Sequence, residues 1–486
     1  MHENRQLLIG GSPSPAESGR TEQDLSPHTG QEVATVGAAS PADVERAVDA
    51  AAAAFPDWSR TGAWDRRAVL LRAADLLEQR ADQAVALMAG ELGATRGWAR
   101  FNVGLAANVL REAGASTTGP RGEVLTSSGP DEWGFEVRQP VGVVAAFAPW
   151  NAPLILGVRS FAVPIAVGNA VVLKPAEDAP LSAGLFLADL LHEAGLPPGV
   201  LNVVTNARAD AAEVGNALID DPRVRRVNFT GSTGVGRAIG VRAAQNLKPA
   251  LLELGGKNSV VVLDDADLDH AVQAVTFGAY LNAGQICMSA DRVLVPEPRR
   301  EEFLERFAAK VEALPWGSPD DPDTVVGPLV HRAAAERVGE LVEDAVAGGA
   351  KLHCGGGAPE GALYPPTVLS GVDPRHRIYG EEVFGPVSTV LGYSEVGEAV
   401  RIANDTPFGL TAGLITEDVR RGWQLAQQLE TGIVHINDQS VADEPQVPFG
   451  GVKNSGYGRF GGRHGAEFFT DTRWITFRES RAEYPL

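Results

Sequence analysis

The chain has 486 residues, with 42 Lys plus Arg against 62 Asp plus Glu, a formal net charge of −20. So acidic a chain lacks the clustered cations that phosphate neutralisation requires, which argues against nucleic acid and anionic membranes as partners. The two cysteines, Cys287 and Cys354, are too few for a disulfide framework or a Cys-rich zinc site, so a reducing compartment and no metal are expected.

At about 100–200 residues per domain, the length suggests two to four lobes. The N-terminus, MHENRQLLIGGSPSP, has no apolar signal core, and the polar stretch 10–33 reads as a linker. Residues 40–115 repeat apolar positions at i, i+3 and i+4, and predict two or three helices, with Ser40 as N-cap and Pro41 opening the first. Residues 131–142 alternate polar and apolar, as an arm or edge strand does. Residues 141–173 are apolar except for Arg159, but Pro149, Asn151, Pro153, Pro164 and Asn169 interrupt them. They make a poor membrane span and a good buried strand, turn, helix and strand.

Strand patterns VGVVAAFAP, NAVVLKP, GVLNVVT and 223–230 alternate with helical segments 152–167, 181–194 and GVGRAIGVRAAQN. That alternation predicts a parallel α/β sheet buried on both faces. A second alternation begins at 258–265 and predicts a second α/β lobe. The tail EFFTDTRWITFRES again alternates. This tail and 131–142 suit a subunit contact, and an internal hairpin reads equally well.

Five features carry possible chemistry. Cys287, in GQIC, follows the end of an apolar helix, where a thiol at free backbone N–H groups is a candidate nucleophile; a buried inert cysteine is the ordinary alternative. Cys354, in KLHCGGG, reads as structural. Glu253, in LLELGGKN, sits among leucines and glycines, where desolvation raises a carboxyl toward the range of a general base, unless it is a surface residue closing a helix. The turn GSTGVG, with Gly231, Ser232 and Gly236, stands between a strand and a helix and offers N–H donors to a pyrophosphate, although it is not the G-x-G-x-x-G fingerprint. Lys174 and Glu177 follow a strand, at the end of a sheet where ligands bind, or lie on a solvated loop. Asn151, between two prolines, is a turn former or an amide donor to an oxyanion.

The motifs run in the order APWN, KPAE, FTGSTGVG, ELGGKN, GQIC, EEVFGPV and PFGGVKNSGYGR. In that order and spacing the chain resembles the aldehyde dehydrogenase superfamily over nearly its whole length. The resemblance implies an aldehyde dehydrogenase-like α/β fold of two Rossmann-like parallel-sheet lobes with a β-arm for oligomerisation. It assigns 1–123 and 142–255 to an NAD-binding domain, 256–464 to a catalytic domain, and 124–141 with 465–486 to the arm. It implies Cys287 as nucleophile through a thiohemiacetal and a thioester, Asn151 with the Cys287 N–H as oxyanion donors, and Glu253 as the base for hydrolysis. Lys174 and Glu177 would bind the adenosine ribose. Gly231, Ser232 and Gly236 would approach the pyrophosphate. Glu382 would hold the nicotinamide ribose, with Phe384 and Trp150 beside the ring. NAD is the expected cofactor and NADP the alternative. A homodimer or homotetramer in the cytoplasm is expected. Many members carry a Lys and a Glu thought to relay the proton from the base; here those positions are Ser160 and Phe460.

Segments 138–164, GQICMS and 436–452 look like the bacterial aromatic-aldehyde branch, which includes benzaldehyde, vanillin and salicylaldehyde dehydrogenases. Trp98 and Arg159 would border the substrate entrance. Ala152, Ile155, Leu156, Ile286, Met288 and Phe449 would form an apolar slot for a ring. The rival readings are a semialdehyde or aliphatic dehydrogenase, in which Arg159 pairs with a substrate carboxylate, and a non-catalytic protein on the same fold.

Overall fold

The computed structural model describes residues 3–481, 484 and 485; the outermost residues of the expected N-terminal domain and arm (1, 2, 482, 483 and 486) lie outside these. The first lobe is built on five parallel strands, in spatial order Ala250–Glu253, Val224–Thr230, Val143–Ala148, Ala170–Pro175 and Leu201–Val203. Nearly every residue in them is buried, as continuous runs of Val, Ala and Leu demand when helices cover both faces. The chain steps outward from Val143–Ala148 to Leu201–Val203, then returns to the other side of Val143–Ala148. This reversal makes a crevice at the carboxyl ends of Val143–Ala148 and Val224–Thr230, where open α/β sheets take ligands.

Four helices, Pro41–Arg60, Ala63–Gln79, Ala81–Leu92 and Arg96–Ser116, fill the segment where two or three were expected. The fifth, Pro153–Ala166, is buried along its whole length and packs against Arg96–Ser116 and the sheet. The polar stretch 10–33 is not a linker. Leu7–Ile9 pairs with Leu201–Val203 and with Ser12–Ser14, extending the sheet, while Thr21–Leu25 pairs with Glu32–Gly37. Strands of three to six residues with about one buried side chain in three carry too little apolar pattern to register in sequence.

The second lobe holds seven strands in the order Lys351–Cys354, Thr367–Ser370, Val387–Tyr393, Arg292–Pro296, Ser259–Val262, Thr411–Ile415 and Ile433–Ile436. All neighbours are parallel except the first pair. Cys354 is buried at the end of an edge strand whose other residues are exposed or half-buried. The two lobes are stitched by Gly456–Tyr457, which pairs antiparallel with Ala250–Glu253 and places Gly456 opposite Glu253.

Thr470–Arg478 pairs antiparallel with Glu132–Pro140 along nine positions, and Gly122–Leu125 completes this three-stranded sheet. The two alternating segments are thus partners within one chain. The expected boundary at 123/124 falls inside a strand, and Gly456–Tyr457 belongs to the first sheet although 256–464 was expected to form the other domain. Among the described residues no helix is long and apolar enough to cross a membrane.

Candidate active site

Three elements converge on the crevice. The turn after Val143–Ala148 carries Asn151, which is 8% exposed. Its backbone carbonyl accepts from Trp98 Nε1 at 3.1 Å and from Asn282 Nδ2 at 3.0 Å, which pins the turn. Its Nδ2 donates to the Gln285 carbonyl at 3.0 Å. An amide nitrogen has two hydrogens, so one is left for a ligand oxygen.

Cys287 is presented by a strained loop. The helix Leu268–Tyr280 ends in the turn Leu281–Gly284, where Asn282, Ala283 and Gly284 have φ of 50°, 55° and 70°. Left-handed conformations at non-glycine residues cost of order 1–3 kcal/mol each and persist only where the surroundings enforce them. A Cβ at Gly284 would lie 2.1 Å from the Gly385 carbonyl oxygen, so only glycine lets the two loops meet. The Gln285 side chain accepts from the Val330 N–H at 2.9 Å, and Asn258 Nδ2 donates to the Cys287 carbonyl at 2.8 Å. Burial, then the negative charges of Glu382 and Glu253, pushes the Cys287 thiol up to about 12, against the opposing pull of Arg159.

Glu253 closes a strand, not a helix, and is 3% exposed. Neither carboxyl oxygen has a hydrogen-bond partner among the described residues. Burial raises its pKa well above the ordinary carboxylate value, although Arg159 and Arg459 oppose this. A carboxylate with a raised pKa is a stronger base than an ordinary one.

The expected cofactor residues fall into two groups. Glu382 accepts from the Gly256 N–H at 2.9 Å, and burial pushes it up to about 7. Phe384, at φ 52°, meets Trp150 edge-on at 5.6 Å between ring centres. Ser232 is exposed and caps the helix Thr233–Gln245, leaving that helix start open at the crevice. Two glycines of the turn stand elsewhere. The Gly231 N–H donates to the Glu253 carbonyl at 3.0 Å, so it is spent within the sheet. Gly236 is buried, and a Cβ there would lie 2.2 Å from Leu254 Cδ2, which makes it a close-packing residue rather than a phosphate donor. Lys174 donates to Glu177 at 2.5 Å, and Asn206 Nδ2 donates to the same carboxylate at 3.0 Å. The Lys174 charge is thus already paired.

All eight expected pocket residues line one cavity with Asn151, Glu253 and Cys287: Trp98, Ile155, Leu156 and Arg159 from two helices, Ala152 from the turn before the second, and Ile286, Met288 and Phe449 from loops. The cavity encloses about 600 Å³, mouth included. Phe101, Leu105, Thr230, Val441 and Asp443 complete the wall without having stood out in the sequence. Phe101 and Leu105 follow Trp98 at i+3 and i+7, a spacing that reads as ordinary core; Phe101 stacks on Trp98 at 5.5 Å. Asp443 forms an ion pair with Arg159, and the guanidinium lies 4.5 Å over the Phe449 ring. In place of the expected relay pair, the Ser160 hydroxyl donates to the Gly157 carbonyl and Phe460 is buried.

Comparison with known proteins supplies context for this geometry. Residues 14–475 match the model of the aldehyde dehydrogenase family. A vanillin dehydrogenase of Pseudomonas sp. (strain HR199 / DSM 7063) is 51% identical over 480 residues, covering 99% of each chain. The crystal structure of a salicylaldehyde dehydrogenase from Pseudomonas putida G7, complexed with salicylaldehyde, superposes with a TM-score of 0.97 at 40% identity over 100% of both chains. A betaine aldehyde dehydrogenase from Staphylococcus aureus in complex with NAD+ superposes with a TM-score of 0.94 at 31% identity, covering 99% of this chain and 98% of that one. Nearly the whole chain takes part in each match, and the chain belongs to the aldehyde dehydrogenase family.

Proposed function

We propose that this enzyme oxidises aromatic aldehydes of the benzaldehyde type to carboxylic acids. The observation that carries the reading is the convergence of Cys287, Asn151 and Glu253 on one cavity walled by Trp98, Phe101 and Phe449. Flat apolar walls favour a ring by burial and stacking.

The Cys287 thiol loses its proton to solvent, and the sulfur adds to the aldehyde carbon, forming a C–S bond as the C=O π bond opens onto oxygen. The negative charge that develops on oxygen is held by the free hydrogen of the Asn151 amide and by the Cys287 N–H. When bound, NAD or NADP supplies the hydride acceptor that leaves a thioester on Cys287. Glu253 then takes a proton from water, water adds to the thioester, the C–S bond breaks, and the thiol is restored.

The residues present fit such a cofactor. Ser232 opens a helix N-terminus at the carboxyl end of the sheet, where an anionic pyrophosphate is favoured. The paired Lys174 and Glu177 would meet the adenosine ribose, with the carboxylate disfavouring an added 2′-phosphate and so favouring NAD. Glu382 would hold the nicotinamide ribose, and Trp150 with Phe384 the ring. The first sheet would then serve the cofactor, the second lobe would carry the nucleophile, and the three-stranded arm, with Trp133, Trp474 and Phe477 exposed, would join subunits into a homodimer or homotetramer. The acidic surface and free thiols accord with a cytoplasmic setting.

The semialdehyde reading is weakened because Asp443 already occupies Arg159. Steady-state rates of acid formation test the proposal. Benzaldehydes are expected to exceed short aliphatic aldehydes and succinate semialdehyde in kcat/KM; equal values would overturn the aromatic assignment. Cys287→Ala is expected to abolish acid formation, and retained turnover would overturn the mechanism.

A further inference from the structure

The wall of the catalytic cavity includes a buried carboxylate oxygen for which the mechanism has no use. Arg159 and Asp443 form an ion pair there, their side chains only 7% and 8% exposed. Asp443 Oδ2 accepts from Arg159 Nη2. Asp443 Oδ1 is buried and has no hydrogen-bond partner among the described residues. The stacking of the guanidinium on Phe449 fixes the pair against the wall. Neighbouring wall residues Ile155, Leu156 and Val441 have apolar side chains and cannot donate. A buried carboxylate oxygen left unpaired is unfavourable, and a ligand that donates to it gains what the protein alone forgoes.

Resting on the aromatic assignment of this cavity, we infer that Asp443 Oδ1 is a specificity-determining acceptor, taking a hydrogen bond from a hydroxyl on the substrate ring. The favoured substrates are then hydroxybenzaldehydes in the neutral phenol form. Arg159 holds Asp443 in place and is not itself the group that reads the ring. A site built to bond a hydroxyl rejects the analogue without one more strongly than an apolar slot can, because the buried acceptor is left empty. A phenolate has no proton to donate and would bring a second negative charge to the carboxylate, so ionisation of the phenol removes the preference. The charged and titratable groups that act on this region include Arg159, Glu253, Cys287, Glu382, His435 and Arg459, and they act on every substrate alike. A ratio of two substrates in one enzyme cancels their titration.

The experiment measures kcat/KM for benzaldehyde, for its 2-, 3- and 4-hydroxy derivatives and for the matching methoxy compounds, across pH. It uses the parent, Asp443→Asn, and the double variant Arg159→Leu/Asp443→Leu, which removes both charges together. At a pH below phenol ionisation, at least one hydroxy isomer is expected to exceed both benzaldehyde and its methoxy counterpart by about tenfold in the parent. That ratio is expected to fall as the phenol ionises, and to drop below about threefold in the double variant. Asp443→Asn keeps the shape of the wall should the double variant not fold; its neutral amide is expected to flatten the pH dependence of the ratio. No hydroxyl preference in the parent, an unchanged preference in both variants, or a preference that grows with phenol ionisation would each overturn the inference. In those cases benzaldehydes still outperform aliphatic aldehydes and the aromatic assignment stands. If benzaldehydes as a group do no better than aliphatic aldehydes, the aromatic assignment fails and the inference fails with it.

Discussion

Buried carboxylates in the lobe interiors and in the catalytic cleft are treated in opposite ways. In the first lobe, Glu91 accepts from the N–H groups of Leu181 at 2.7 Å and Ser182 at 2.9 Å, one on each oxygen. In the second, Asp291 Oδ2 accepts from Lys257 Nζ at 3.0 Å and the Val383 N–H at 3.3 Å. In the cleft, among the described residues, Glu253 has neither oxygen paired and Asp443 has one unpaired. A buried acceptor without a donor costs about 1–3 kcal/mol. The interior pairs hold the fold together by closing their lone pairs; the cleft leaves lone pairs open, toward water for Glu253 and toward the substrate ring for Asp443.

The contrast breaks most visibly at Glu253. Glu253→Gln is expected to lower kcat for acid formation by about 10²–10⁴-fold, the range for loss of a positioned base. It is also expected to stabilise the protein, and the sign follows from the raised pKa. A carboxyl whose pKa is higher folded than unfolded contributes stability that is complete below the unfolded value. That contribution is lost as pH rises through the folded value. Glutamine never ionises, so the melting temperature of the variant should exceed the parent's at pH 9 by more than at pH 5. A variant that melts lower at both pH values would show Glu253 to be a structural carboxylate like Glu91.

Asp291 should behave in the reverse manner. Asp291→Leu leaves the fully buried Lys257 ammonium without its partner, and a loss of about 3–5 kcal/mol in denaturant unfolding is expected. Lys257→Met/Asp291→Leu, which removes both charges, should recover most of it. If the single variant is as stable as the parent, the interior pair is not doing what its geometry indicates.

Asp24 lies between the two classes. Burial and the neighbouring Glu91 push it up to about 9, so it is protonated at neutrality beside an N–H-saturated partner. Its stabilising contribution is therefore present at acid pH and fades as pH rises toward about 9. Asp24→Asn should melt higher relative to the parent at pH 9 than at pH 5. Equal differences at the two pH values would mean that the pair shares no proton.

These contrasts also mark what the sequence could and could not reveal. Cys287, Glu253 and Asn151 were legible because each stands in a local motif whose neighbours, glycines and prolines, force a specific turn. The alternating parallel strands were legible from apolar runs of five to seven residues. Asp443 was not, because its meaning depends on Arg159, 284 residues away, and on which of its oxygens the partner occupies. Gly231 and Gly236 were read as phosphate donors because a glycine pattern does not tell an open N–H from one used in a sheet, or a cradle from a packing contact with Leu254. The N-terminal strands escaped notice because edge pairing is satisfied by backbone atoms and demands little of the side chains.

The smallest expected effect concerns the thiol. After burial, Glu382 is the largest influence holding Cys287 up, and Glu382 itself is pushed up to about 7. Below that value Glu382 is largely protonated and exerts little repulsion; above it the carboxylate opposes the thiolate. Glu382→Gln should therefore leave the rate of Cys287 alkylation by iodoacetamide unchanged at pH 6. At pH 9 it should raise that rate by about three- to tenfold, the size of one Coulomb contact in a partly screened site. The comparison is made on cofactor-free enzyme in a Cys354→Ser background, so that only one thiol is counted. Equal rates at pH 9 would mean that burial alone keeps Cys287 protonated, and that the Glu382 carboxylate, bonded to the Gly256 N–H, is directed away from the sulfur.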